Sequence, residues 1–530
     1  MIWMNSIKHV IFCIIDDIRS EHFYDLIERG SLPNLKILTE SGVYSKNCIT
    51  DFPSLTYPTQ VSMMTGTYTG NYLEELCHGV PSFHWMERNE NPPFLRSYNS
   101  VGSDERIQIY KLNDDLGNNC KTLFEMVGEG NTVSISQFIS RGANYLFPER
   151  KTKLILYYLL IKHSYNINKY ITKANLVAVK KLLKTFEHPK KFFDNKEAPT
   201  VSNLLFLSSD IMMHLYGFDS ELYKLNLFHI DKVLGILLEG LDKLGYLEET
   251  AIAISSDHGN YKAKTLGDFG NFFNENSLNH YHPRKNTKGN MNLGGFNSVG
   301  FFNFRSKNRG NDKSWDHPNI TEMENYGPNQ INLFEKLFTI KGVRLMYYSD
   351  DGNTTKKGKI HLKRKDQKTG KIVESSIEYS GSSKEFKTKY LTEAGDSDVF
   401  NYSNDEIASK LLDNKFHTLR EWLDATSHID FPLYPDLLSR NFKNPRRADV
   451  VVSTCGDVAY NIKHGKKENK NLYLHDIGLR KSAVVPLIVG GSNDLPLKEI
   501  SHCKIVDIVP TLLKMLGKKP HPSVVGESLI

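Results

Sequence analysis

The chain reads as an α/β protein, a sandwich built on a mostly parallel central sheet, and three features of the sequence carry that reading. Several short segments are continuous apolar runs, the pattern of strands buried on both faces. Helical stretches between them repeat their apolar residues every three or four positions. Acidic and histidine side chains stand directly after the runs, which is where an open α/β sheet binds its ligands.

The first run is His9 to Ile15, followed at once by Asp16. Leu32 to Leu38 opens a helix that leads to a second strand near Val43 to Cys48. Ser202 to Leu207 is a strand ending before Asp210. From Ser220 onward a helix carries Ile230, Val233, Leu234, Leu237, Leu238, Leu241 and Leu244 on one face, with Gly245 as its cap. Thr250 to Ser256 is the next strand and ends at Asp257. Nearer the C-terminus, Ala448 to Ser453 and Val484 to Val489 are strands, and Val506 to Leu516 is a closing helix.

These elements group into three core parts, residues 1–89, 200–264 and 448–530. Residues 90–199 are expected to be a helical insertion, Lys-rich over 150–195. Residues 265–447 are expected to be a mixed insertion with a small antiparallel sheet, Gly342 to Tyr348 and Ile372 to Tyr379 among its strands, that caps the site.

Composition narrows the function classes. In 530 residues, 39% hydrophobic and 24% charged, no apolar run reaches the roughly 20 residues of a membrane helix, so no membrane span is expected. Six cysteines are scattered without a CxxC pair, which argues against a disulfide framework and a thiolate zinc site and points to a reducing, cytoplasmic compartment. The net charge of +6 is small for the length. Its densest patch, Lys356 to Lys365, has no interleaved aromatics, so a solvated strand pair is expected there and nucleic acid is not an expected partner.

Taken singly, a strand-end aspartate is more often a cap than a ligand. Asp210 and His214 stand four residues apart, on one side of a helical turn, as two ligands of one metal or as a capped helix with a satisfied histidine. Asp257 and His258 leave a buried strand together, and a charge and an imidazole placed there demand partners. Carboxylates with neutral imidazoles suit zinc or manganese. Thr56, two residues before Pro58 and a helical stretch, is either an N-cap or a nucleophile at a helix end that attracts a phosphoryl group.

Jointly these residues resemble the alkaline phosphatase superfamily, and within it the nucleotide pyrophosphatase/phosphodiesterase branch. Ile15-Asp-Asp-Ile-Arg19 resembles its D-G-x-R, with Asp17 in place of glycine, and Pro33 to Val43 resembles its PNL-x-x-L-x-x-x-G-V. Phe52-Pro-Ser-Leu-Thr-Tyr-Pro58 with Thr65-Gly66 resembles its nucleophile segment. Asp210 to His214, Ser256 to Gly259, Leu474 to Gly478 and the closing helix follow in the right order, so that the likeness spans the three core parts.

The resemblance implies an alkaline-phosphatase-like fold and a two-metal hydrolase of phosphodiester or pyrophosphate bonds acting through a phospho-threonine intermediate on Thr56. One divalent ion, zinc or manganese, would be held by Asp210, His214 and His475, and a second by Asp16, Asp257 and His258 with the Thr56 oxygen. His464 competes with His475, which fits the family spacing to Val485-Pro486 better. The expected substrate is a small phosphoester such as a nucleotide. Phe83 stands where the branch often has an Asn that helps hold a phosphate oxygen, leaving that task to metals, backbone or a residue such as Asn71. No C-x-P-S-R segment is present, which disfavours a sulfatase. A phosphomonoesterase or phosphonate hydrolase on the same core is the alternative, and an inactive metal-binding protein the non-enzymatic one.

Overall fold

In the computed structural model, which describes residues 7–90, 92–98, 108–150, 153–156, 166–306, 315–392, 398–460 and 472–530, His9–Ile15 is the axis of the main sheet. It pairs in parallel with Val201–Phe206 on one side and with Thr250–Ser255 on the other. Its alternate residues serve two cores. Val10, Phe12 and Ile14 face one; Ile11, Cys13 and Ile15 face the other. A strand apolar on both faces is what such a position requires.

The sheet runs outward through Thr132–Ile135 and Tyr145–Phe147, both parallel, and on the other side through Val484–Gly490, which is antiparallel to both its neighbours, to Val43–Ile49. Helices Ile167–Glu187 and Glu221–Lys243 cover one face. Ser220 caps the latter by accepting from Tyr223 N, and Gly245 takes the positive φ of 77° that ends it. On the other face, the helix Thr56–Thr65 and the closing helix Ile508–Met515 contribute Val61, Met64, Leu512 and Leu513 to the same core as a second sheet.

Three segments differ from expectation. Residues 90–199 hold the expected long helix but also supply Thr132–Ile135 and Tyr145–Phe147 to the central sheet; runs of three and four residues are too short to show a period. Val450–Ser453 belongs to the second sheet, antiparallel to Val299–Phe304 and Leu345–Ser349. A short apolar run looks the same at the centre of either kind of sheet. The antiparallel sheet of the 265–447 segment is also larger than expected, eight strands among the described residues including Val450–Ser453, and it shares Leu345, Tyr347, Ile360 and Ile377 with the main core. The basic run lies on its strand Lys357–Lys365, where Ile360 and Leu362 point inward and Lys363 pairs with Glu374 at 2.9 Å. Among the described residues, no helix is long and apolar enough to cross a membrane.

Candidate metal centre and nucleophile

Three adjacent parallel strands end side by side, and each delivers a carboxylate within a few residues of its end: Asp257 after Thr250–Ser255, Asp16 after His9–Ile15, Asp210 after Val201–Phe206. Positions 16, 210 and 257 thus converge although they are far apart in sequence. Asp16 N donates to Phe206 O at 3.0 Å, and Ile18 N to His258 O at 2.9 Å, which ties the three strand ends together.

Asp210 opens the helix Ser208–Tyr216 and His214 follows one turn later, its Nε2 3.1 Å from Asp210 Oδ1. His214 Nδ1 lies 2.9 Å from Tyr473 O, so this nitrogen carries the proton and Nε2 is left to the site. His475 follows the short strand Tyr473–Leu474, which pairs with Tyr261–Lys262. Its Nδ1 is held by Ser54 O at 2.9 Å and its ring stacks on His258 with centroids 3.7 Å apart.

Metal-ligating atoms come within 4.8 Å of one another in three groups: Asp16, Asp257 and His258; Asp210, His258 and His475; and Asp17, Asp210 and His214. The six metal-ligand candidates singled out in the sequence are therefore in one place, together with Asp17. The grouping differs from the one the resemblance implies in two respects. His475, anchored to Ser54 O, approaches Asp210 beside His258, and Asp17 joins Asp210 and His214. His464 lies outside the described residues.

Thr56 is the first residue of the helix Thr56–Thr65 and not its cap; Leu55 holds the cap position, with no side-chain hydrogen bond. The Thr56 hydroxyl lies 3.2 Å from His258 Nε2 instead. His258 Nδ1 is 3.3 Å from Gly259 O, which places the ring proton there and leaves Nε2 as the acceptor for the hydroxyl, or as a ligand for a cation. Among these residues Thr56, Asp210 and His214 are partly exposed, so the site opens on their side.

Gln60, one helical turn after Thr56 and not foreseen, binds the carboxylates together. Its Nε2 donates to Asp257 Oδ2 at 2.7 Å and to Asp16 Oδ2 at 3.3 Å, and its Oε1 accepts from Gln137 Nε2 at 3.1 Å. The signal for it was available, since position i+4 shares a helix face with Thr56. On the far side of the same helix, Ser62 Oγ donates to Asp51 Oδ2 at 2.5 Å and lies 3.0 Å from His78 Nε2. Gln60→Met keeps the volume but strips the buried Asp257 of its closest donor. Its expected cost is about 1–3 kcal/mol of stability in chelator-treated protein, measured by urea unfolding.

Burial, and then the charges of Asp257, Asp210 and Asp17, push the Asp16 carboxyl well above its ordinary range. Burial also pushes Asp257 up to about 6, against the donors from Gln60 and Asp17 N. Burial acts the same way on Asp210, but His214, through charge and hydrogen bond, then His475 and His258, hold it below its ordinary value. Burial lowers His258 to about 4, and burial with the neighbouring His258 and His214 lowers His475 well below 6.5, so both imidazoles are neutral at neutral pH, as ligands must be. Asp16 Oδ1 and Asp17 Oδ2 are buried and meet no hydrogen-bond donor. Crowded carboxylates with orphaned oxygens beside neutral imidazoles fit divalent cations.

Phe83 packs edge-on against Tyr57, centroids 5.0 Å apart, and Tyr57 also meets Tyr98 and Phe138 at 5.8 Å. Asn71 Nδ2 donates to Thr355 Oγ1 at 2.7 Å.

Comparison with known proteins bears on the family and the fold. The model of the type I phosphodiesterase / nucleotide pyrophosphatase family matches residues 10–319. A pyrophosphatase/phosphodiesterase of Schizosaccharomyces pombe, itself uncharacterized, is 24% identical over 250 residues, 47% of this chain and 44% of that protein. The chain thus matches less than half the length of that relative. Among solved structures, murine ectonucleotide pyrophosphatase/phosphodiesterase 5, an inactive variant in complex with AMP, is 12% identical with a TM-score of 0.54, covering 97% of this chain and 96% of that one. The human protein is similar at 13% identity and TM-score 0.53, with 96% and 95% covered.

Proposed function

Since the chain belongs to the type I phosphodiesterase / nucleotide pyrophosphatase family, we propose that it hydrolyses a phosphodiester or pyrophosphate bond of a small substrate, with Thr56 Oγ as the nucleophile and two divalent ions as cofactors. The observation that carries this is the Thr56 hydroxyl, freed from capping and turned to His258 within a cluster of carboxylates and imidazoles. A cap would have spent it on a backbone N–H.

Asp16, Asp257 and His258 would hold one ion; Asp210 and His214, with His475 between the two groups, the other. Zinc or manganese bound there supplies Lewis-acid stabilisation of the ester oxygens and lowers the pKa of a coordinated hydroxyl. The chain's own residues do the rest. The helix Thr56–Thr65 fixes the Thr56 oxygen and offers its N-terminal end to the phosphoryl group. Gln60 holds Asp16 and Asp257 at their separation. Attack forms the bond from Thr56 Oγ to phosphorus as the hydroxyl proton passes to solvent, and breaks that to the leaving oxygen, which takes up a proton from solvent. Water then releases the retained half of the ester from Thr56.

A nucleotide substrate is supported by the AMP held by the murine relative, and a diester by Phe83. With an apolar ring in place of a polar amide for a phosphate oxygen, a dianionic monoester loses more than a monoanionic diester. With zinc or manganese added, bis-nitrophenyl phosphate is expected to turn over faster than nitrophenyl phosphate or a nitrophenyl phosphonate ester. A monoester rate above that of every diester would replace this reading by the monoesterase one.

A further inference from the structure

We propose that Asp17 is itself a metal ligand, making the Asp210 and His214 position a carboxylate-rich cation site. This rests on the two-metal reading and adds a residue to it. Asp17 is fully buried and follows Asp16 directly. It adopts φ of +62°, a left-handed conformation that glycine takes freely and that Asp and Asn tolerate best among other residues. One of its oxygens joins Asp210 and His214 in a group whose ligating atoms lie within 4.8 Å of one another.

Its local bonds do not account for a buried carboxylate. Oδ1 accepts from Asn260 Nδ2 at 2.7 Å, with His258 Nδ1 3.9 Å away, while Oδ2 has no donor at all. The nearby cation, Arg19, acts on it only as a charge at a distance, its guanidinium donating to Asn260 O. A fully buried carboxylate with one neutral amide as partner lacks the charge compensation that burial requires. A divalent ion shared with Asp210 and His214 supplies it. Two carboxylates and an imidazole are a harder donor set than one carboxylate and two imidazoles, so Asp17 moves this position toward manganese relative to zinc.

Asp17→Asn keeps the volume, the tolerance for positive φ and the acceptor for Asn260, and removes the charge. Asp17→Gly places a residue free at that φ and serves as the second variant where Asp17→Asn does not fold. Manganese chloride and zinc chloride are titrated calorimetrically into chelator-stripped protein without substrate. Both variants are expected to bind manganese at least about tenfold more weakly at one site, with a smaller loss for zinc, so that preference shifts toward zinc. Unchanged or tighter manganese binding in both variants overturns the proposal. If Asp210→Ala then still loses one equivalent of metal, Asp17 alone was misassigned; if the wild-type protein binds neither ion, the two-metal reading fails with it.

Discussion

Thr56→Ala is expected to reduce turnover by at least roughly a thousandfold while leaving the fold and most of the metal in place. The magnitude follows from the role. A covalent nucleophile removed from a hydrolase costs orders of magnitude in rate, whereas a lost helix cap costs about 1 kcal/mol of stability and no chemistry. The structure separates these, because Thr56 is the first helical residue and its hydroxyl meets His258 Nε2. The protein ligands of both groups remain in the variant, so elemental analysis should return a metal content close to that of the wild type. Thr56→Ser keeps a hydroxyl at the same helix end and should retain measurable activity. A Thr56→Ala protein with near-native turnover at equal metal content would leave Thr56 with no catalytic role.

The second large effect is expected at His475. Its ring lies between the two halves of the site, stacked on His258 and grouped with Asp210, with Nδ1 fixed to Ser54 O. His475→Ala removes the imidazole proposed to ligate the ion beside Asp210, and metal content should fall by about one equivalent with activity falling alongside. His464→Ala is the control, and should keep both ions and most of the rate. The opposite ranking would show that the last core part had been aligned on the wrong histidine.

Much of this site could be read before the fold was known, because the side chains that matter sit at strand ends and strands buried on both faces announce themselves as apolar runs. Asp16, Asp210 and Asp257 are legible on that ground, and His214 by its spacing from Asp210. His475 follows a two-residue strand outside the parallel sheet, where periodicity says nothing, and it was reachable only through the family resemblance. Gln60 shares a helix face with Thr56, but that spacing does not say what an amide there binds; its meaning lies in the two carboxylates it touches. Asp17 was noticed as a departure from the glycine of the motif, but its inward direction depends on a backbone torsion that the residue type permits without requiring. Thr132–Ile135 and the placement of Val450–Ser453 in the second sheet depend on long-range pairing, which a four-residue run cannot encode.

Covalent attack is tested most directly by mixing the enzyme with excess bis-nitrophenyl phosphate, quenching in acid within one turnover and mapping the modified peptide by mass spectrometry. The expected result is a phosphoryl ester carrying the retained nitrophenyl group on Thr56, absent from Thr56→Ala. A burst of released nitrophenol with Thr56 unmodified, or with the adduct on another residue, would contradict the assignment of Thr56 as nucleophile.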